Sequence, residues 1–369
     1  MVLEKHIKRL KPALLLLTCA LFTLKCFADV PGFYQTFYSP EIEQGFLLVD
    51  YQYFDESLDI LDYASELNST FKPSRSSSIN FALGYRILER GIISYQRARS
   101  NGKITRDREP YQLESEIDGD RIGIRWQVGE QMGIDWSFEL AFNQRKQGEF
   151  SINCYEYKSI VLGNCATSAL SFSDPNTQQP LSLLTTSASQ DTLSLIFLAN
   201  HQLFDRFELT HHVLIKRSEL EVISQSPLFE IQSSFLLNSS FGGKRLGDLI
   251  SSFKQDLPQD TPWQETSIRY GASTAFLLSD QWIANIQFSL LKANRSGYER
   301  IPNQPQYTTN MMFASSLWYS PIDNVSLFLE GMITRHYLLG MDELTYNQRS
   351  SKFFEHPFAQ FKAGVILGF

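Results

Sequence analysis

Apolar and polar residues alternate with a period of two in segment after segment between Gly45 and Phe369. The stretch from Asp118 to Gly129 sets Ile122, Ile124, Trp126 and Val128 on one face against Arg121, Gly123, Arg125 and Gln127 on the other. The next, from Gln131 to Gln144, sets Met132, Ile134, Trp136, Phe138, Leu140 and Phe142 against Asp135, Ser137, Glu139 and Asn143. Such alternation predicts strands with one apolar and one polar face. Twelve are expected: Gly45 to Asp55, Ser77 to Leu88, Gly91 to Ser100, Asp118 to Gly129, Gln131 to Gln144, Gln190 to His201, Phe204 to Arg217, Glu265 to Leu278, Trp282 to Ala293, Tyr307 to Tyr319, Asn324 to Tyr337 and Pro357 to Phe369. The third is ambiguous, because either register puts polar groups on the apolar side.

The connections sort into two sizes. Those after the even strands are short: Glu89-Arg90, Gly129-Glu130-Gln131, Gln202-Leu203, Ser279-Asp280-Gln281 and Ser320-Pro321-Ile322-Asp323. Those after the odd strands are long, above all residues 145 to 189 and 218 to 264. Short turns on one rim and long loops on the other are what an even-stranded transmembrane barrel requires. The expected fold is therefore all-β, an antiparallel up-and-down barrel of twelve strands, with ten or fourteen as the tolerance. Inside the longest loop, Leu246, Leu249, Ile250 and Phe253 recur at helical spacing. They predict a short amphipathic helix over 246–253, either packed on its own loop or acting as a lid.

The two ends carry targeting information. Residues 1–28 combine a basic start (Lys5, Lys8, Arg9, Lys11), an apolar run from Ala13 to Leu24 and the small-residue end Cys26-Phe27-Ala28, the pattern of a secretory signal cut after Ala28. The apolar run is too short to cross ~30 Å of hydrocarbon. Residues 29–44 are then an N-terminal periplasmic or lumenal segment, and 45–369 the barrel. At the other end, Phe361, Ala363, Val365, Leu367 and Phe369 alternate as a lipid-facing strand, and Lys362, Gly364, Leu367 and Phe369 fall at the positions of a polar residue, a glycine, an apolar residue and a terminal aromatic. This pattern resembles the C-terminal assembly signal of Gram-negative outer-membrane β-barrels. The resemblance implies an outer-membrane location, lipid and lipopolysaccharide as surroundings, and the barrel-assembly machinery as a partner during biogenesis.

Composition narrows the picture. Cleavage after Ala28 removes five basic residues and one acidic residue, deepening the net charge from −7 to −11. Nucleic acid is a poor partner for that surface. No run of eighteen apolar residues exists, which excludes a helical membrane protein but not a barrel, whose strands are half polar. The 28 Phe and 16 Tyr suit interfacial girdles, or equally a secreted β-sandwich, against which the terminal strand argues. Cys154 and Cys165, eleven apart in one loop, are expected to form a disulfide in an oxidising compartment, with reduced or metal-bound cysteines as the alternatives.

Candidate chemistry is sparse. His211 and His212 are adjacent in a strand and point to opposite faces, so they cannot share a metal. The segment Phe241-Gly242-Gly243-Lys244-Arg245 lacks the first glycine and the hydroxyl residue of a phosphate loop. A membrane esterase resembling outer-membrane phospholipase A would need a serine two residues after a histidine on one strand, but Val213 and Leu338 stand there. No catalytic residue, metal or cofactor is therefore assigned. Inward positions mix charges: Asp50, Arg86, Arg121, Arg125, Asp135, Glu139, Glu208, His212, Lys216, Arg269, Glu330, Gln360 and Lys362. A turn centred on Glu130 would set Arg125 opposite Asp135 and Arg121 opposite Glu139, so these four are expected to pair across the lumen.

Twelve strands, a terminal Phe and a charge-lined lumen resemble the translocator domain of autotransporters, although only about fifteen residues between signal and first strand leave no passenger. Two functional classes stay open. One is a monomeric, non-enzymatic barrel with a structural or surface-interaction role through its loops. The other is a narrow diffusion channel for small polar or acidic solutes.

Overall fold

The computed structural model describes residues 45–55, 72–88, 90–106, 109–152, 154–157, 160–163, 184–204, 206–241, 244–255, 262–297, 307–322, 324–336, 339–340, 343–345 and 358–369. The expected signal, the segment 29–44 and Cys165 lie outside the described residues.

Twelve strands form a closed antiparallel barrel: β1 Gly45–Asp55, β2 Lys72–Leu88, β3 Gly91–Arg106, β4 Glu109–Gln131, β5 Ile134–Ile152, β6 Leu184–Phe204, β7 Phe207–Gln225, β8 Trp263–Leu277, β9 Trp282–Ser296, β10 Thr309–Ile322, β11 Val325–Thr334 and β12 Phe358–Gly368. Each pairs with its neighbours in sequence, and β12 returns to β1. Closure runs from Phe46 opposite Gly368 to Tyr53 opposite Phe361. The Gly45 and Phe369 backbones complete it with two hydrogen bonds of 2.8 and 2.9 Å. Among the described residues, two short hairpins (Cys154–Tyr157 with Ile160–Gly163, Ser240–Phe241 with Lys244–Arg245) and two α-helices, α1 Ser234–Asn238 and α2 Leu246–Gln255, decorate the long loops.

The outer face explains why the sheet closes. Pairing rows such as Ile93–Ile124–Leu140–Leu195–Ile215–Ile268 run across six strands with every residue apolar. In hydrocarbon an open sheet edge would strand its amides and carbonyls without partners, and closure removes the edge. Two pleats higher the row becomes Arg97–Asp120–Gln144–Asp191–Glu219–Gln264, polar throughout. The outer limit of the apolar band thus lies within one or two pleats, and it steps down to Arg217 on β7 and Lys292 on β9 because tilted strands make a pairing row climb. This boundary resolves β3. Arg97 and Arg99 do face outward, but above the band, where Arg99 pairs with Glu116.

Several strands run beyond their expected ends. β3 continues to Arg106, β4 begins at Glu109 and β6 at Leu184. Above the lipid both faces become polar, so alternation fades while backbone pairing continues. β11 corrects the other way, ending at Thr334 instead of Tyr337. At the opposite rim, the turn between β4 and β5 is centred on Met132-Gly133, both at positive φ (57° and 73°). A two-residue hairpin of this kind matches the strand twist, and it needs the left-handed region at both positions.

Inside, large rings lie flat on glycines of the next strand. A Cβ on Gly84 would stand 1.9 Å from the Phe46 ring, and one on Gly364 would stand 2.5 Å from Phe328. Each aromatic uses the missing side chain to lie along the wall. Gly84→Val is accordingly expected to destabilise the barrel by about 1–3 kcal/mol through overpacking, measured as a lower urea midpoint in lipid vesicles; unchanged stability would mean that the Phe46 ring sits elsewhere.

Candidate functional site: the barrel lumen

Three layers fill the lumen. Near the short-turn rim, Phe46, Leu48, Ala82, Ile196, Leu198, Leu214, Trp318, Phe328 and Ile366 form one apolar cluster drawn from β1, β2, β6, β7, β10, β11 and β12, each at most 4% exposed. Trp318 stacks on Phe328 at 4.7 Å and donates its indole N–H to Ser316 Oγ at 2.9 Å. Apolar groups need no partners, so inward strand positions can close on one another there without electrostatic cost.

The middle layer is polar except on the β9–β11 side, where Leu291, Ala293, Met312, Ala314 and Met332 form a second apolar cluster. Asn80 Nδ2 donates to Asp50 Oδ1 at 2.7 Å, and Gln52 Nε2 donates to Gln360 Oε1 at 2.9 Å. Arg121 Nη2 lies 2.6 Å from Glu139 Oε1, with both side chains buried. On β9, three successive inward residues, Asn285, Gln287 and Ser289, are buried without a hydrogen bond from their side-chain polar atoms. Each such group carries a desolvation cost of about 1–3 kcal/mol.

The upper layer is supplied by the described residues 339–340 and 343–344 of the connection between β11 and β12, which lie inside the barrel. Leu339 and Leu344 are buried against Ala188, Leu220, Val222 and Trp263 of the β6–β8 wall. Asn310 Nδ2 donates to the carbonyls of His336 and Leu339 (3.1 and 2.9 Å). Lys216 Nζ and Arg269 Nη2 donate to the Gly340 carbonyl at 3.1 and 3.4 Å. Between the two leucines, Glu343 is fully buried in an ion pair with Lys216 and accepts from Gln190 Nε2 at 2.9 Å. Burial alone raises the Glu343 carboxyl, but the charge and hydrogen bond of Lys216, the local backbone and the Gln190 amide outweigh it and hold the group at about 2.

The residues singled out in the sequence take the following places. Lys362 is buried inward, Gly364 faces Asp50 and Phe328, Leu367 points outward and Phe369 pairs with Gly45 at the rim. Arg121, Arg125 and Glu139 lie on adjacent strands, but the expected register is corrected: Arg125 is opposite Glu139, Arg121 opposite Asn143, and Asp135 opposite Glu130 at the exposed turn. The shift follows from the turn at Met132-Gly133 together with a bulge between Gln127 and Gly129. Arg121 reaches Glu139 diagonally instead. Arg86, expected inward, lies on the lumen face with Ala82 and Gly84 and is exposed near the short-turn rim. Cys154 opens a short loop strand, and its expected partner lies outside the described residues. α2 forms where expected and rests on α1, Gly247 lying against Leu237. His212 points inward over Gly271, while His211 faces outward with its Nδ1 3.1 Å from the Tyr270 hydroxyl. Among the described residues no group of three His, Cys, Asp or Glu is placed to hold a metal. Sequence reasoning missed the inward loop. Its only signal is the apolar run Tyr337-Leu338-Leu339-Gly340-Met341 beside Glu343, which resembles a strand end.

No protein-family model matches the sequence, and no curated protein matches it. Among solved structures, the translocator domain of the autotransporter NalP from Neisseria meningitidis is similar over 92% of this chain and 92% of its own, with 8% identity and a TM-score of 0.51. The β domain of the Bordetella autotransporter BrkA matches 88% of this chain and 99% of its own at 8% identity and a TM-score of 0.48. The KdgM porin, solved with a disordered oligogalacturonate, matches 87% of this chain and 99% of its own at 6% identity and a TM-score of 0.36. At such identities the likeness is one of fold: this chain has the closed twelve-stranded fold of an autotransporter translocator domain.

Two outcomes follow from the buried charges. Glu139→Gln leaves Arg121 without its counter-ion and is expected to cost about 3 kcal/mol, read from urea unfolding against an unchanged Asp135→Asn control. For Glu343 the folded-state value lies below that of an unfolded carboxyl, so its stabilising contribution is complete above ~4.3 and is lost as pH falls through about 2. The loop is therefore expected to stay seated down to about pH 4. Acrylamide quenching of Trp263 should not change over that range, and earlier exposure would mean that another group holds the loop.

Proposed function

We propose that this protein is an integral outer-membrane barrel of a Gram-negative bacterium, without a catalytic site, that works from its extracellular loops in a structural or surface-interaction role. The fold, the outward apolar rows and the assembly-signal residues at Lys362, Gly364, Leu367 and Phe369 support the location. The observation that carries the role is the lumen. Its lower layer is an apolar cluster at most 4% exposed, and its upper layer is a chain segment anchored by apolar and ionic contacts. A barrel closed twice over is poorly suited to passing solute. The mixed charges pair with one another instead of forming a track of one sign, as a conduit for acidic sugars would need.

The narrow channel is the second reading, and one observation favours it. Asn285, Gln287 and Ser289 line the wall with amide and hydroxyl groups that make no hydrogen bond, groups that a hydrated solute path would satisfy. Single-channel recording in a planar bilayer separates the two. The closed reading expects no steady conductance from purified, heat-modifiable barrel, together with surface labelling of the long loops on whole cells. A stable, solute-selective current would favour the channel, and recovery of the folded protein in the soluble periplasm would end both.

A further inference from the structure

The upper layer joins two parts of different origin. The groups that hold Glu343 belong to barrel strands, whereas Glu343 belongs to a loop. Gln190 on β6 and Lys216 on β7 receive the carboxylate, and both are at most 5% exposed. Gln190 is held by strand neighbours as well as by the loop, while Lys216 also donates to the loop's Gly340 carbonyl. Gln190 Nε2 lies 3.0 Å from Thr192 Oγ1, Thr192 and Ser218 share a hydrogen bond of 3.0 Å, and Ser218 sits opposite Glu265 in the register of β7 with β8. Arg269 of β8 donates to the loop's Gly340 carbonyl, and Arg295 of β9 donates its Nε–H to Glu265 Oε2 at 2.9 Å. Among the described residues of this group, β7 to β9 contribute the cations Lys216, Arg269 and Arg295 and the carboxylate of Glu265. Charge is balanced more closely when one further anion is seated there, and Glu343 supplies it.

We infer that the β6–β8 wall carries a carboxylate-binding site opening toward the outer rim, that Glu343 occupies it as a tethered ligand, and that small carboxylates compete with the loop for it. The inference rests on the reading that the barrel works from its outer face, and it names the class of solute recognised there. Two features of the geometry set the specificity. A buried ammonium and a buried amide converge on one carboxylate, a charge-assisted arrangement that a neutral solute cannot replace. Leu339 and Leu344 flank Glu343 and fill the adjacent apolar surface of Ala188, Leu220, Val222 and Trp263, so a carboxylate with an apolar substituent reproduces more of the loop's contacts than a bare anion does. A tethered group acts at an effective concentration in the millimolar range for a short flexible link. The intact loop therefore wins against dilute competitors, and the site is autoinhibited until the ligand is abundant or the loop is drawn outward.

The test removes the tethered carboxylate and offers it back in solution. In Glu343→Ala protein refolded in lipid vesicles, the loop should lose its anchor, Trp263 emission should shift to the red, and the unfolding temperature should fall. Acetate or propionate should then raise the unfolding temperature in a saturable manner, propionate at lower concentration than acetate. Two matched controls should have no such effect: sodium chloride for ionic strength, and acetamide for shape without charge. The wild type should be insensitive over the same range, and the double variant Glu343→Ala, Lys216→Met should not respond. Should Glu343→Ala fail to fold, Glu343→Gln keeps the shape without the charge and is read by the same titration. A carboxylate response absent from both variants, or equal in the Lys216→Met double variant, would overturn the site and leave the ion pair a purely structural clasp. Whole-cell labelling that found the long loops inside the cell would instead refute the outward-facing role while leaving the titration result intact.

Discussion

Everything in this molecule depends on the requirement that no backbone amide or carbonyl be left unpaired in hydrocarbon. The seam between β1 and β12 meets it. Eight residue pairs from Phe46–Gly368 to Tyr53–Phe361 join the ends of the sheet, and Gly45 and Phe369 bond to one another at the rim. Once the sheet is closed, its two faces are no longer equivalent, and each strand residue must be fit either for lipid or for the lumen. The apolar rows that cross six strands, and the polar row two pleats above them, are the consequence of that choice made strand by strand.

The lumen has the opposite problem. Its residues are removed from water yet half of them are polar, so they need partners, and a barrel of this size leaves room for side chains to supply them. Apolar side chains at the short-turn rim avoid the cost by having nothing to pair. Arg121 and Glu139 offset it with a direct ion pair, and Asp50 with Asn80. Near the long-loop rim Lys216 of the wall meets the carboxylate of Glu343, delivered by a loop. The same physics that makes buried charge expensive therefore decides where the chain bends back into the barrel.

The strand positions were legible wherever lipid enforces alternation. Ile122, Ile124, Trp126 and their opposite numbers Phe138, Leu140 and Phe142 mark a face unambiguously, because a one-residue slip would put arginine into hydrocarbon. Legibility ended where that pressure ends. β3, β4 and β6 run on above the band with polar residues on both sides, and nothing in their pattern marks them as paired. The register of β4 with β5 also escaped, since a bulge at Gln127–Gly129 and a turn at Met132-Gly133 each move the pairing while leaving the alternation on either side unchanged. Arg121 still meets Glu139, but as a diagonal contact that no count along a hairpin predicts.

By itself, then, the sequence determined the class of fold, the number of strands, the apolar face of the strands that alternate cleanly, though not of β3, and the rim to which each connection belongs, because these depend on the local alternation of residues and on loop length. Only the tertiary structure decided what the lumen contains. That Phe46 lies on Gly84, that residues from seven strands make one apolar layer, and that Glu343 finds Lys216 and Gln190 more than a hundred residues away are matters of curvature, stagger and bulges summed around twelve strands. No single segment encodes that sum, and the charge of a loop acquires its meaning only from the wall it reaches.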